Sequence, residues 1–104
     1  MHIEISTDSN IEGREMLAGQ IKGLVEESFD RFSERITRVE VHVSDANSHK
    51  SGQDDKHCMI EARLEGRQPT AVKHRAATLE KAVDGAVEKM KKSIESTLGR
   101  EDRR

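Results

Sequence analysis

Aromatic residues are nearly absent from this chain, which has two Phe and neither Trp nor Tyr among its 104 residues. Proteins that hold single-stranded RNA usually stack its bases on exposed aromatic rings, so the composition excludes that mode of recognition. The core must be built from aliphatic residues, methionine and alanine instead. A chain of this length can bury one modest core without disulfides or metal, and we expect a single domain over residues 1–104.

Cysteine and long apolar runs are equally scarce. The only cysteine, Cys58, cannot form an internal disulfide, which fits a reducing compartment. No apolar run approaches the roughly 20 residues that span a membrane, and the opening MHIEISTDS lacks the apolar core of a signal peptide. These observations predict a cytoplasmic protein with no membrane partner.

Four segments alternate apolar and polar residues with a period of two, the pattern of a strand that is buried on one face. They are MHIEIS at the start, RVEVHV at 38–43, CMIEARL at 58–64 and a less regular stretch at 70–76. The only proline, Pro69, precedes the last of them, where a ladder N–H is least needed. Each of the four predicted strands therefore has one apolar face.

Two segments instead repeat apolar residues every three or four positions, which is typical of helices with one buried stripe. The first predicts a helix from about 14 to 34 with Ser9 or Asn10 as its N-cap, and its stripe is Leu17, Ile21, Leu24, Val25, Ser28 and Phe32. The second stripe is Leu79, Ala82, Val83, Ala86, Val87, Met90, Ile94 and Leu98.

The predicted element order is β-α-β-β-β-α, an α+β fold. A four-stranded, mostly antiparallel sheet with both helices packed on one face is the simplest arrangement that buries every apolar stripe together.

Charge is abundant but unevenly distributed along the chain. Charged residues make up 37% of the sequence and the net charge is -2. Residues 1–49 hold five Lys or Arg against ten Asp or Glu, whereas residues 50–104 hold thirteen against ten. An acidic first half and a basic second half would orient the domain over a polyanion, although the excess of positive charge is small for a nucleic-acid binder.

The second predicted helix carries four lysines. At about 100° per residue, Lys81 and Lys92 lie opposite the apolar stripe, and Lys89 and Lys91 lie beside it. A solvated face is one interpretation, because Glu88 precedes Lys92 by four residues in the orientation that favours an ion pair. A docking surface for phosphate groups is the other.

The predicted open face of the sheet mixes both signs of charge, which cross-strand ion pairs explain without any ligand. Its charged residues include Glu4, Arg38, Glu40, Glu61, Arg63 and Glu65. Lys73 and Arg75 share one side of the fourth strand, and no carboxylate lies near them in sequence. If this face binds phosphate, we expect it to do so at the end that holds Lys73 and Arg75.

Gly19 and Gly23 stand one turn apart on the first helix, away from its apolar stripe. Each costs about 1 kcal/mol relative to alanine. Two explanations stay open, the close approach of a partner's backbone and simple tolerance of glycine at a surface.

Enzyme chemistry finds no support in the sequence. His57 and Cys58 are adjacent on a strand and so point to opposite faces, which argues against a metal site there. Neither a catalytic triad pattern nor a glycine-rich phosphate loop occurs. We expect no catalytic residue, no metal ligand, no cofactor and no small-molecule substrate.

Two stretches of the chain, TLEKAVDGAVEKMKK at 78–92 and FSERITRVEVHV at 32–43, carry a resemblance to a known family. Over nearly its whole length, and above all in its second half, the chain resembles the short ribosome hibernation-promoting factors, the ribosome-associated inhibitor A family once called sigma-54 modulation proteins. Within the first of these stretches, Lys89 and Lys92 match basic positions of the family. The predicted element order is also that of the family, whose fold is similar to a double-stranded-RNA-binding domain.

The resemblance implies a non-enzymatic factor that binds ribosomal RNA of the small subunit in the channel for messenger and transfer RNA and keeps idle ribosomes out of translation. Combined with the charge pattern, it gives one predicted set of phosphate contacts: Lys73, Arg75, Lys81, Lys89, Lys91 and Lys92. The alternative is a protein-interaction module of the same fold that does not bind the ribosome.

Overall fold

The computed structural model describes residues 1–8, 11, 13–45 and 55–100, and the backbone of residues 101 and 102. The predicted element order and the α+β class are confirmed. In chain order the elements are β1 (His2–Thr7), α1 (Arg14–Ser28), a 3₁₀ turn (Asp30–Phe32), β2 (Ile36–Asp45), β3 (Lys56–Leu64), β4 (Thr70–Ala76) and α2 (Leu79–Asp102).

The four strands form one sheet in the order β1-β2-β3-β4. β1 runs parallel to β2, and the other two pairs are antiparallel, so the sheet is mostly antiparallel as predicted. A parallel pair needs a crossover connection, and α1 supplies it between β1 and β2. β1 and β4 are consequently the two edges of the sheet.

Both helices pack on the same face of the sheet, and the core lies between them and the strands. The predicted alternation of buried and exposed residues is present in every strand. Val39, Val41 and Ile60 are completely buried on the inner face. From α2, Ala82, Ala86 and Met90 are completely buried too, which confirms its predicted stripe.

The predicted extent of the first helix is wrong at its C-terminal end. α1 ends at Ser28, and Phe29 leaves the helical conformation with φ -107° and ψ 11° before the 3₁₀ turn begins. A 3₁₀ turn has three residues per turn, so Phe29 and Phe32 project to the same side. Both are buried, whereas Ser28 is only half-buried. The chain changes helix type here because this places both of its phenylalanines in the core.

The predicted N-cap residues Ser9 and Asn10 lie outside the described residues. α1 begins directly after Gly13, which has a φ of 65° in the left-handed region that glycine tolerates best. At the start of α2 the Thr78 hydroxyl accepts a hydrogen bond of 3.1 Å from the backbone N–H of Lys81. This bond satisfies one of the free N–H groups that every helix leaves at its first turn.

Candidate nucleic-acid interface

One flank of α2 lies along the free edge of β4. The Lys89 ammonium donates a hydrogen bond of 2.7 Å to the backbone carbonyl of Lys73. One helical turn earlier, Gly85 packs directly under the imidazole of His74. Residue numbers rise along α2 as they fall along β4, so the two elements run antiparallel. Side chains from the helix and from the edge strand therefore share one rim of the molecule.

Lys73 and Arg75 project from β4 on the open face of the sheet and are exposed, as predicted. The register places Met59 beside Lys73 and His57 beside Arg75 on the neighbouring strand. Between them, His74 points to the opposite face, toward α2. The two cations thus stand on the outer side of the same edge that α2 borders from the inner side.

Lys81, Lys89 and Lys92 are exposed on α2. Helical spacing puts all three on the outward side or on the flank that faces β4. They span about 16 Å along the helix axis, at 1.5 Å per residue. We call these three lysines together with Lys73 and Arg75 the basic edge. Lys89 joins its two parts, because Lys73 and Arg75 point out of the open sheet face and Lys81 and Lys92 point outward from α2.

The cations of the basic edge have no ion-pair partner in the described part of the chain. Across residues 1–8, 11, 13–45 and 55–100, none of its five cations takes part in an ion pair. Glu88 lies on α2 between Lys81 and Lys92. Its carboxylate oxygen Oε1 is 3.8 Å from the Nζ atom of Lys91. The predicted pair between Glu88 and Lys92 is not formed in the described part of the chain, and both interpretations of this helix face stay open.

Lys91 lies apart from the other five predicted contact residues. It is half-buried on the flank of α2 that faces α1, where it helps to line a hollow together with Glu27, Asp30 and Arg31. Arg31 in turn donates to the Glu95 carboxylate. The structure therefore brings Lys89 beside Lys73 and Arg75, leaves Lys81 and Lys92 on the outward side of α2, and places Lys91 among acidic neighbours.

A shallow cavity of about 230 Å³ on the open sheet face adjoins the basic edge. His42, Ser44 and His57 line it together with Lys73 and Arg75, and its lining among the described residues contains no carboxylate. The two histidines are not among the contact residues predicted from the sequence. Strand alternation already placed His42 outward, but only the register of the sheet shows that both lie near Lys73 and Arg75.

The remainder of the open face is occupied by the predicted ion pairs. Arg38 donates to Glu4 at 2.8 Å and to Glu40 at 3.1 Å. The hydrogen bond from Arg38 lowers the pKa of the Glu40 carboxyl, and the same contact raises the pKa of Arg38. The face is thus divided into a self-neutralised part at β1 and β2 and a cationic part at β4.

The described part of the chain gives little support for a metal site, a reactive cysteine or a membrane-spanning helix. It contains no group of three or more histidine, cysteine or acidic residues placed to hold a metal ion. Cys58 is buried, and burial raises the pKa of its thiol to about 12. Neither described helix combines the length and the apolar character that crossing a bilayer requires.

A family model described as sigma 54 modulation protein / S30EA ribosomal protein matches residues 9–101, and the chain belongs to this family. The resemblance predicted from the sequence is therefore confirmed. No curated protein matches the chain by sequence.

Two solved structures are similar in fold. The Protein Y N-terminal domain of Thermus thermophilus is 21% identical with a TM-score of 0.67, and the match covers 93% of this chain and 99% of that one. A ribosomal subunit interface protein from Coxiella burnetii is 14% identical with a TM-score of 0.69, and that match covers 95% and 99%. At these identities the likeness shows the fold alone.

Proposed function

We propose that this chain is a non-enzymatic factor that binds the small ribosomal subunit and holds idle ribosomes out of translation. Its site would be ribosomal RNA in the channel used by messenger and transfer RNA, and it would work in the cytoplasm. Membership of the S30EA family supports a ribosomal partner. One structural relative is itself described as a ribosomal subunit interface protein.

The basic edge is the observation that carries the proposal. Within the described residues its five cations form no ion pair, Lys89 reaches β4 across one rim of the fold, and two histidines extend the surface beside Lys73 and Arg75 across the open sheet face. Folded RNA offers phosphates on its outer surface, and proteins that lack aromatic platforms read it by shape and backbone contacts. Lysine and arginine contacts to phosphate position a protein without reading its sequence. Recognition would therefore depend on the shape of the ribosomal channel.

The net charge of -2 does not oppose this function, because the charge is segregated. Exposed carboxylates of α1 include Glu15, Glu26 and Glu27, whereas Lys73 and Lys89 lie at the rim between β4 and the far flank of α2. A protein with such a charge dipole approaches a polyanion with its cationic side first. Each phosphate contact releases counterions, so five contacts would give a salt slope of about -3 to -5 in a log–log plot of affinity.

Co-sedimentation with purified 30S subunits tests the proposal. We expect the chain in the ribosomal fraction at about 50 mM salt and its release at about 200 mM, since a site of several phosphates loses orders of magnitude in affinity over this range. Purified 50S subunits are the control for non-specific binding to ribosomal RNA. Absence from the 30S fraction at low salt, or equal recovery with both subunits, would contradict the proposal.

A further inference from the structure

A groove lies between α1 and α2 on the flank of α2 away from the basic edge. It has a volume of about 450 Å³, within the range of small binding pockets. Its lining is mostly apolar and includes Leu17, Leu24 and Leu79, and its polar members are Gln20, Glu80 and Asp84. We call this surface the inter-helix groove.

The inter-helix groove exposes apolar surface that neither helix covers. Leu17, Leu24 and Leu79 pack against the core but are only partly buried. The two helices contact each other less than α2 contacts the sheet, so the gap between them stays open. Apolar surface of this kind, rimmed by polar residues, is typical of an interaction site.

The charged residues at the rim of the inter-helix groove are acidic. Glu80 and Asp84 are exposed on α2, Gln20 is neutral, and among the described residues no lysine or arginine lines the groove. In the part of the chain that the structure describes, neither carboxylate forms an ion pair. A ligand that buries the apolar floor would have to bring positive charge beside these two carboxylates, because buried unpaired charge is costly.

We propose that the inter-helix groove binds a cationic amphipathic segment of a partner protein. Aliphatic side chains at helical spacing would enter the gap above Ile21 and Leu24, and lysine or arginine on either side would pair with Glu80 and Asp84. An amphipathic helix laid into an apolar groove is a recurring mode of peptide recognition. RNA is excluded as an occupant, because its phosphates would face the two carboxylates. The site is separate from the basic edge and does not depend on ribosome binding.

A synthetic peptide of leucine and lysine is a direct probe. About 15 residues suffice for a marginally stable helix, with leucine on one face and lysine on the other. A second peptide has the same leucines and glutamate at every lysine position. We expect the cationic peptide to bind and to shift the methyl NMR signals of Leu17, Leu24 and Leu79. Binding of the anionic peptide with equal affinity would overturn the proposal.

Charge-reversed variants test whether the cationic peptide binds at the groove or is attracted to the acidic protein as a whole. We expect the double variant Glu80→Lys, Asp84→Lys to weaken binding of the cationic peptide by about tenfold, since two attractive rim contacts become repulsive. The matched control is Glu15→Lys, Glu26→Lys, which makes the same change in net charge on exposed positions of α1 outside the groove. Equal losses in the two variants would overturn the proposal.

Two further readouts complete the test. The Glu80→Lys, Asp84→Lys variant should still sediment with 30S subunits, so loss of peptide binding with retained sedimentation isolates the groove from the basic edge. Analytical ultracentrifugation of the free chain tests a second copy as the occupant. A concentration-dependent dimer that disappears in this variant would assign the groove to self-association and overturn the proposal.

Discussion

The imidazole of His74 on β4 lies against the backbone of Gly85 on α2, so close that a methyl group at position 85 would overlap the ring. Glycine is the only residue that allows this approach. The contact fixes how near the helix comes to the edge strand, and one turn further along Lys89 reaches the carbonyl of Lys73. The geometry of the basic edge thus depends on this pair.

We expect Gly85→Ala to destabilise the protein although alanine favours helix formation. Overpacking costs about 1 to 3 kcal/mol, while replacing glycine inside a helix gains about 1 kcal/mol. Urea denaturation measures the net change in the free energy of unfolding, which should lie between about zero and 2 kcal/mol of destabilisation. In a His74→Ala background the obstacle is gone, and the same substitution should instead stabilise by about 1 kcal/mol. Destabilisation of equal size in both backgrounds would show that the ring is not the cause.

Gly19 and Gly23 provide the opposite case on α1. A methyl group at either position would meet no other atom within 4 Å. We expect each Gly→Ala substitution to raise the free energy of unfolding by about 1 kcal/mol, because only helix propensity changes. Gly13→Ala is the control, since the left-handed φ of 65° penalises alanine and should lower stability by about 1 kcal/mol. A loss of stability at positions 19 and 23 would reveal a packing role that the structure does not show.

The Arg38 ion pairs predict how stability depends on pH. The pKa of Glu40 is lowered in the folded state. The ionised carboxylate therefore contributes to the free energy of unfolding above its unfolded pKa of about 4.3, and this contribution is lost as the pH falls through the pKa of the folded state. Arg38→Gln should reverse this trend, because Glu4, Glu40 and Glu61 stand side by side in register and would repel one another. Urea midpoints at pH 7 and pH 4 measure this change of stability with pH, its slope, in the wild type and in the Arg38→Gln variant. A variant that keeps the wild-type slope would contradict the assignment to Arg38.

Cys58 should be unreactive in the folded protein. Only the thiolate is nucleophilic, and burial raises the pKa of this thiol to about 12. At about pH 8.5, where an unfolded cysteine is half ionised, iodoacetamide should label the denatured chain readily and the native chain far more slowly. Because the pKa is raised on folding, the neutral Cys58 thiol stabilises the folded state fully below about pH 8.5. This contribution to the free energy of unfolding declines as the pH rises toward 12. Cys58→Ala should remove that part of the decline; rapid native labelling would contradict the observed burial.

The regular elements could be predicted from the sequence because each has a single buried face. Alternation in RVEVHV and the repeat from Leu79 to Leu98 leave only one way to bury their apolar residues. The 3₁₀ turn could not be predicted, since Phe29 and Phe32 also fit a continued helix until the core decides how far α1 can extend. Position along the helix predicted the exposure of Lys81, Lys89 and Lys92, but neither the half-burial of Lys91 nor which flank of α2 borders β4.

The candidate site was predicted only in part for the same reason. Lys89 and Lys91 both flank the apolar stripe in sequence, yet one contacts β4 and the other faces α1. That difference depends on how the helix is seated on the sheet, which no pattern within α2 records. The two histidines near Arg75 depend on strand register, and the inter-helix groove depends on the gap between two helices that are far apart in the chain.

The affinity of charge-reversed variants for 30S subunits, measured as a function of salt, tests the role of the basic edge most directly. Lys89→Glu, Lys92→Glu should weaken binding by at least about tenfold and reduce the salt slope by about two, one for each lost phosphate contact. The matched control, Lys22→Glu, Lys91→Glu, makes the same change in net charge away from the basic edge and should have little effect. An unchanged binding constant for the first variant, or equal losses in both, would contradict the proposed interface.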